Sequence, residues 1–106
     1  MSLSTHVLDA VTGHPAAGIR VRLEPRGDTR SAPLAVGVTD PDGRIGELAV
    51  DLAAGDYCLV FDTETYLAGR TFYPEVVITF RITDPAEHYH VPLLLSPYAF
   101  STYRGS

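Results

Sequence analysis

Three histidines and one arginine stand where their chemistry could matter. HYHVPLLL carries His88 and His90, LSTHVLD carries His6, and the TDPDGR turn carries Arg44. An unperturbed imidazole titrates near pH 6.5, so it can take or give a proton at neutrality. On a strand, residues i and i+2 share a face, which places His88 and His90 ~6.6 Å apart on one side. That spacing suits either a metal pair or a general-base pair. No CxxC or HExxH accompanies them, so zinc is not expected. An arginine after a tight Asp–Gly turn is most often solvated; its other use is as a planar guanidinium fork for an oxygen-rich group. His14, beside Pro15 in a turn, is the weakest of the histidine candidates. The segment YRGS adds Tyr103, by ordinary expectation a packing residue, and Ser106, by ordinary expectation a mobile terminus. Because no flexible tail follows the tetrapeptide, we expect it to be built into the structure.

Strands must position these residues, because period 2 dominates the chain. In IRVRLEP, Ile19, Val21 and Leu23 alternate with Arg20, Arg22 and Glu24, the pattern of a strand with one wet face. The same reading predicts strands at about 3–9, 19–25, 34–39, 46–51, 56–62, 76–83, 88–95 and 99–104. Turn signals separate them at TGHPAAG, PRGDTRSAP, TDPDGR, LAAGD and TDPAE. Eight short strands so spaced argue for an all-β antiparallel sandwich. DTETYLAG breaks the alternation, with acids early and a glycine late, and predicts a short helix over 63–68.

Parity shows which faces carry the chemistry. Tyr89, Val91, Leu93 and Leu95 share the core face of the seventh strand, which leaves His88, His90, Pro92 and Leu94 opposite. On the first strand, Leu3, Thr5 and Val7 go together, with Ser4, His6 and Leu8 opposite. A solvated face normally reads as Lys, Glu, Thr and Ser, whereas these mix His with Leu and Pro and lack charge. We expect this face to be covered by another subunit, symmetric self-association being the simplest cover.

Composition bounds the rest. The 106 residues, 45% of them hydrophobic, fit one domain spanning 1–106 that buries roughly 60–70% of its unfolded surface. Eight arginines, no lysine and thirteen acidic residues give a net charge of −5. The arginines are scattered, so no basic stripe for nucleic acid or anionic lipid is present. Cys58 is alone, which excludes an internal disulfide and fits a reducing compartment. The opening MSLSTHVLD lacks a basic region followed by an apolar run, and no window approaches the ~20 apolar residues of a membrane span. A cytoplasmic protein is the expectation.

Four segments, in order, resemble the 5-hydroxyisourate hydrolases, purine-catabolic relatives of transthyretin. LSTHVLD followed by GHPAAG resembles their opening signature, TDPDGR their arginine-bearing turn, FYPEV the segment after their helix, and HYHVPLLLSPYAFSTYRGS their closing signature. Transthyretins proper, which carry hormone, keep neither the YRGS tetrapeptide nor the histidines. Phe100 stands where a Tyr is common in the family.

The resemblance implies a transthyretin sandwich of two four-stranded sheets with one short helix, assembled as a homotetramer with active sites at the dimer–dimer interface. It implies His6, Arg44, His90 and Ser106 as catalytic residues, with His6, Arg44 and Tyr103 in contact with the substrate, 5-hydroxyisourate. It gives His88 no role, and it implies no metal and no organic cofactor. In the implied reaction water attacks a ring carbonyl and an amide nitrogen leaves. His6 and His90 share the proton work, and Arg44 stabilises the oxyanion. Two other readings are a transthyretin-like carrier that binds a small aromatic ligand without turnover, and a structural module. The second rests on the proline-alanine-glycine turn, the DGR turn and AAGDYCLVF, which also resemble regulatory sandwich domains of carboxypeptidases.

Overall fold

The first strand, β1 (Ser2–Asp9), alternates core and outer residues and becomes the pivot of a sheet. The computed structural model of the protein describes residues 1–28 and 32–106. In chain order β1 is followed by β2 (Arg20–Pro25), β3 (Ala35–Val38), β4 (Arg44–Val50), β5 (Gly55–Phe61), the helix α1 (Thr63–Tyr66), β6 (Val76–Ile82), β7 (His88–Leu95) and β8 (Phe100–Thr102). They form two four-stranded sheets, ordered β4-β1-β7-β8 and β3-β2-β5-β6. The all-β reading, the strand count and the single short helix follow the sequence expectation. Residues 29–31, inside the PRGDTRSAP turn, lie outside the described residues.

The core fills the space between the sheets. Leu3, Val7, Leu93 and Leu95 enter from one side and Val21, Leu23, Leu59 and Phe61 from the other, all with essentially no exposure. Burying each such side chain contributes roughly 1.5–3 kcal/mol relative to exposure. Thr5 shares the inner face because its hydroxyl donates to the Val91 carbonyl at 2.7 Å, which removes the cost of an unpaired polar group.

One pairing breaks the antiparallel rule. β1 and β7 run parallel along their whole length, with Ser2 level with His88, Ser4 with His90 and His6 with Pro92. Antiparallel pairing holds between β1 and β4 and between β7 and β8. Alternation along single strands carries no sign of this direction, yet it decides which outer-face residues meet.

Differences from the expected boundaries have local causes. β4 begins at Arg44, two residues early, because Arg44 already pairs with His6 in the ladder. α1 ends at Tyr66, since Ala68 and Gly69 take positive φ values of 53° and 76° that a helix cannot continue. Its start is capped by Asp62, whose carboxylate accepts from the Thr65 N–H at 3.3 Å and the Thr65 hydroxyl at 2.7 Å. β8 stops at Thr102, but the chain runs on along β7 in the same antiparallel register and makes a bridge between Gly105 and His90. Among the described residues, no helix is long and apolar enough to cross a membrane.

Candidate active site

The TDPDGR turn sets Arg44 by backbone chemistry. The Asp40 carboxylate accepts from the backbone N–H groups of Asp42 and Arg44, both at 2.9 Å, and the Gly43 N–H donates to the Asp40 carbonyl at 2.8 Å. Gly43 has φ 74° and lies against β1, where an added Cβ would collide with the Val7 carbonyl oxygen and stand 3.1 Å from the Ala16 nitrogen. Only glycine meets both demands. The Val7 N–H donates to the Gly43 carbonyl at 2.8 Å, and this contact seats the next residue, Arg44, directly across from His6.

His90 is held at both edges of its ring. On the β1 side, Ser4 Oγ lies 2.7 Å from Nδ1. On the other side the C-terminal segment closes in: the Gly105 N–H donates to the His90 carbonyl at 2.9 Å, and a Cβ at Gly105 would collide with His90 Cδ2 and come within 3.2 Å of Pro92 Cγ. Nε2 is the ring nitrogen that neither clamp takes. Burial, then the charge of Arg44, then His6 and His88, hold the His90 pKa below its ordinary value. A neutral imidazole with a free nitrogen is what a general base requires.

The structure thus brings His6, Arg44 and His90 together on the outer face of the β4-β1-β7-β8 sheet. Ser106 follows Gly105 and is exposed; its side chain makes none of the site's hydrogen bonds. Tyr103 is 60% exposed and lines a groove of about 310 Å³ at the sandwich edge with Ile78, Phe80, Tyr89, His90 and Arg104. In the single chain, Tyr103 and Ser106 therefore stand at the margin of the His6–Arg44–His90 group. His14 is remote from it, exposed in a turn and close enough to Asp9 to act on its carboxylate.

Part of the outer face is covered by the chain itself. Pro92 and Ser4 are buried without any second subunit, Pro92 by the tail at Gly105 and by the Thr102 hydroxyl, which donates to the Pro92 carbonyl at 2.7 Å. His6, Leu8, His90 and Leu94 remain half-buried. Ser4 and Gly105 were missed as site residues by sequence reasoning. Period 2 places Ser4 on the face of His6, but only the parallel register brings it to His90. For Gly105 the sequence carries no signal beyond its place in YRGS.

A larger cleft of about 520 Å³ opens elsewhere, lined by Asp9, Thr12, Tyr66, Arg70 and Pro97 among others. Its carboxylate is already committed: Asp9 accepts from the N–H groups of Val11 and Thr12 and from the Tyr66 hydroxyl. It offers no free base, so size alone does not make it the reaction site. Among the described residues no group of three or more His, Cys, Asp or Glu side chains is arranged to hold a metal ion.

The sequence pattern described as the HIUase/Transthyretin family matches residues 3–105. A 5-hydroxyisourate hydrolase from Salmonella dublin is 50% identical over 109 residues, covering 98% of this chain and 80% of the relative. The solved structure of Klebsiella pneumoniae 5-hydroxyisourate hydrolase superposes with a TM-score of 0.88 at 40% identity, over 100% of both chains. Sea bream transthyretin in complex with thyroxine superposes with a TM-score of 0.86 at 30% identity, covering 99% of this chain and 95% of that one.

Proposed function

The chain belongs to the HIUase/Transthyretin family, and from that premise we propose that His6, Arg44 and His90 carry out its activity, the hydrolysis of 5-hydroxyisourate in urate degradation. The activity rests on the relatives that bear that name at up to 50% identity over nearly the whole chain. The observation that carries the site is the convergence of Arg44, cross-strand from His6, with His90, whose Nε2 is left free by Ser4 and Gly105. A carrier needs no such base. The residue set therefore favours turnover over the transthyretin-like alternative, in which a small ligand is only held.

The reaction runs in two proton steps. His90 Nε2 takes a proton from water as the water oxygen bonds to a ring carbonyl carbon of 5-hydroxyisourate. Arg44 holds the oxygen that becomes negative, a role worth several kcal/mol when a donor is preorganised. The ring C–N bond then breaks, the nitrogen takes up a proton, and the product is 2-oxo-4-hydroxy-4-carboxy-5-ureidoimidazoline. His6, opposite Arg44, positions the substrate or shares the proton work. Tyr103 contacts the substrate, and Ser106 completes the site beside Gly105. Neither a metal nor an organic cofactor enters these steps.

The half-buried His6, Leu8, His90 and Leu94 support a homotetramer whose sites lie at the dimer–dimer interface, where a facing subunit covers this patch and brings Tyr103 and Ser106 to the substrate. One domain over 1–106 and a cytoplasmic location complete the reading, the latter supported by the unpaired Cys58. The test is ring opening of freshly prepared 5-hydroxyisourate, followed by ultraviolet absorbance with and without the protein. Acceleration over the uncatalysed rate is expected, and binding without acceleration would favour the carrier.

A further inference from the structure

Hydroxyls and imidazoles alternate in one hydrogen-bonded line along the outer face of β1 and β7. Ser2 Oγ lies 2.5 Å from His88 Nδ1, His88 Nε2 lies 3.0 Å from Ser4 Oγ, and Ser4 Oγ lies 2.7 Å from His90 Nδ1. The parallel register produces the line, since it sets Ser2 level with His88 and Ser4 level with His90. The line is exposed at His88, whereas Ser4 between the two histidines is only 8% exposed.

A hydroxyl has one proton to give, so the line has two self-consistent orientations. In the first, His90 Nδ1–H donates to Ser4, Ser4 donates to His88 Nε2, and His88 Nδ1–H donates to Ser2; His90 Nε2 then bears a lone pair and is a base. In the second every bond is reversed, and His90 Nε2 bears a proton and is a donor. Base and acid forms of His90 differ by a shift of protons along one line.

We propose that Ser4 is a positioning residue that couples His90 to His88, so that His88 is the exposed proton terminus of the reaction at His90. This rests on the hydrolysis proposed above. When His90 Nε2 takes the proton from water, its Nδ1 proton passes to Ser4 Oγ and the Ser4 proton passes to His88 Nε2, which becomes the imidazolium. When the ring C–N bond breaks, the leaving nitrogen takes the Nε2 proton of His90. Ser4 returns a proton to His90 Nδ1, and His88 Nε2 returns one to Ser4. Protons balance over the cycle, and His90 never holds two.

The charges around the site favour that division. Burial first, and then Arg44 from β4 and His6 from β1, which face His90, resist a second proton there. His88, on the same strand, is exposed and can share its charge with water. Arg104 in the tail is engaged elsewhere, paired with Glu87 at 2.7 Å and lying 4.8 Å from the centre of the Tyr89 ring.

The experiment compares the wild-type protein with S4A, S4T and H88N, by turnover of 5-hydroxyisourate across pH and by ¹⁵N NMR of the histidine ring nitrogens. S4A should lower kcat by about ten- to a hundredfold with KM within about twofold, and S4T, which keeps a hydroxyl, should recover most of it. H88N should lower kcat at low buffer concentration, and added imidazole should restore it after the uncatalysed rate is subtracted. In the wild type, titrating His88 should shift the His90 ring nitrogens, and S4A should uncouple the two. Wild-type kcat and pH profile in S4A, or in H88N at low buffer, would overturn the proposal. Absence of wild-type turnover would instead overturn the hydrolysis reading, and the ring-nitrogen coupling would still decide whether Ser4 joins the two histidines.

Discussion

The Gly105 N–H donates to the His90 carbonyl at 2.9 Å, and the absence of a side chain on Gly105 is what leaves room for the His90 imidazole. A segment near the end of the sequence thus fixes the ring proposed as the base. Gly105 does not have a positive φ, so alanine fits its backbone and the main penalty is the collision with Cδ2, beside a tight approach to Pro92 Cγ.

Gly105→Ala should therefore move the ring without unfolding the sandwich. Turnover should fall by about ten- to a hundredfold, as a misplacement of roughly 1 Å can cause, while the thermal midpoint stays close to the parent's. Turnover of the variant and its melting curve, measured together, check this. A wild-type rate in the variant would show that the His90 position is not set by Gly105.

Much of this site was legible in the sequence, for identifiable reasons. Strand alternation put His6, His88 and His90 on outer faces because period 2 fixes the face regardless of partners. The DPDG turn placed Arg44 just past a tight turn, because Asp at the turn start and Gly at the positive-φ position are local chemistry, whereas a role for Arg44 came only from the family resemblance. Which residues meet across strands depends on register and direction, which are tertiary. Neither the parallel β1–β7 pairing nor the Ser4–His90 contact it creates could be read from alternation. The pairing of Gly105 with His90, which extends the β7–β8 register, escaped for the same reason.

Asp40→Ala tests the seating of Arg44. Two backbone N–H groups, of Asp42 and Arg44, lose their acceptor; at about 0.5–1.5 kcal/mol per bond the fold should survive. The loosened turn should lower kcat/KM by about tenfold through Arg44 placement. Steady-state kinetics beside a denaturation curve separate the two effects, and an unchanged kcat/KM with reduced stability would limit Asp40 to the fold.

The pH dependence follows from the sign of the His90 shift. Burial first, then Arg44, His6 and His88, lower its pKa below 6.5, so the neutral base persists to more acid pH than a free imidazole. The acid limb of kcat/KM should have its midpoint below 6.5. The unfolded chain binds the extra proton more readily, so this group's contribution to stability is complete above pH 6.5 and lost as pH falls through the folded value. A kcat/KM profile and denaturation at several pH values measure both. An acid limb above 6.5 would contradict the assignment of His90 as base.

Exhaustive chelation should leave turnover intact, because imidazole and guanidinium groups carry the proposed steps. Turnover before and after treatment with a strong chelator, with metal content measured in parallel, is the check. Loss of activity that zinc restores would replace the general-base reading of the histidines with a metal site.

In the proposed mechanism His6 and His90, with Arg44, act as one unit in opening the ring of 5-hydroxyisourate. The most direct test is a cycle of His6→Asn, His90→Asn and the double variant, with turnover of fresh 5-hydroxyisourate followed by absorbance on samples shown to be folded and equally assembled. Each single change should lower turnover by roughly 10²–10⁴, and the double variant should be scarcely worse than either, because residues acting as a unit are not additive. Near-wild-type turnover in either single variant, or two losses that simply multiply in the double, would overturn that mechanism.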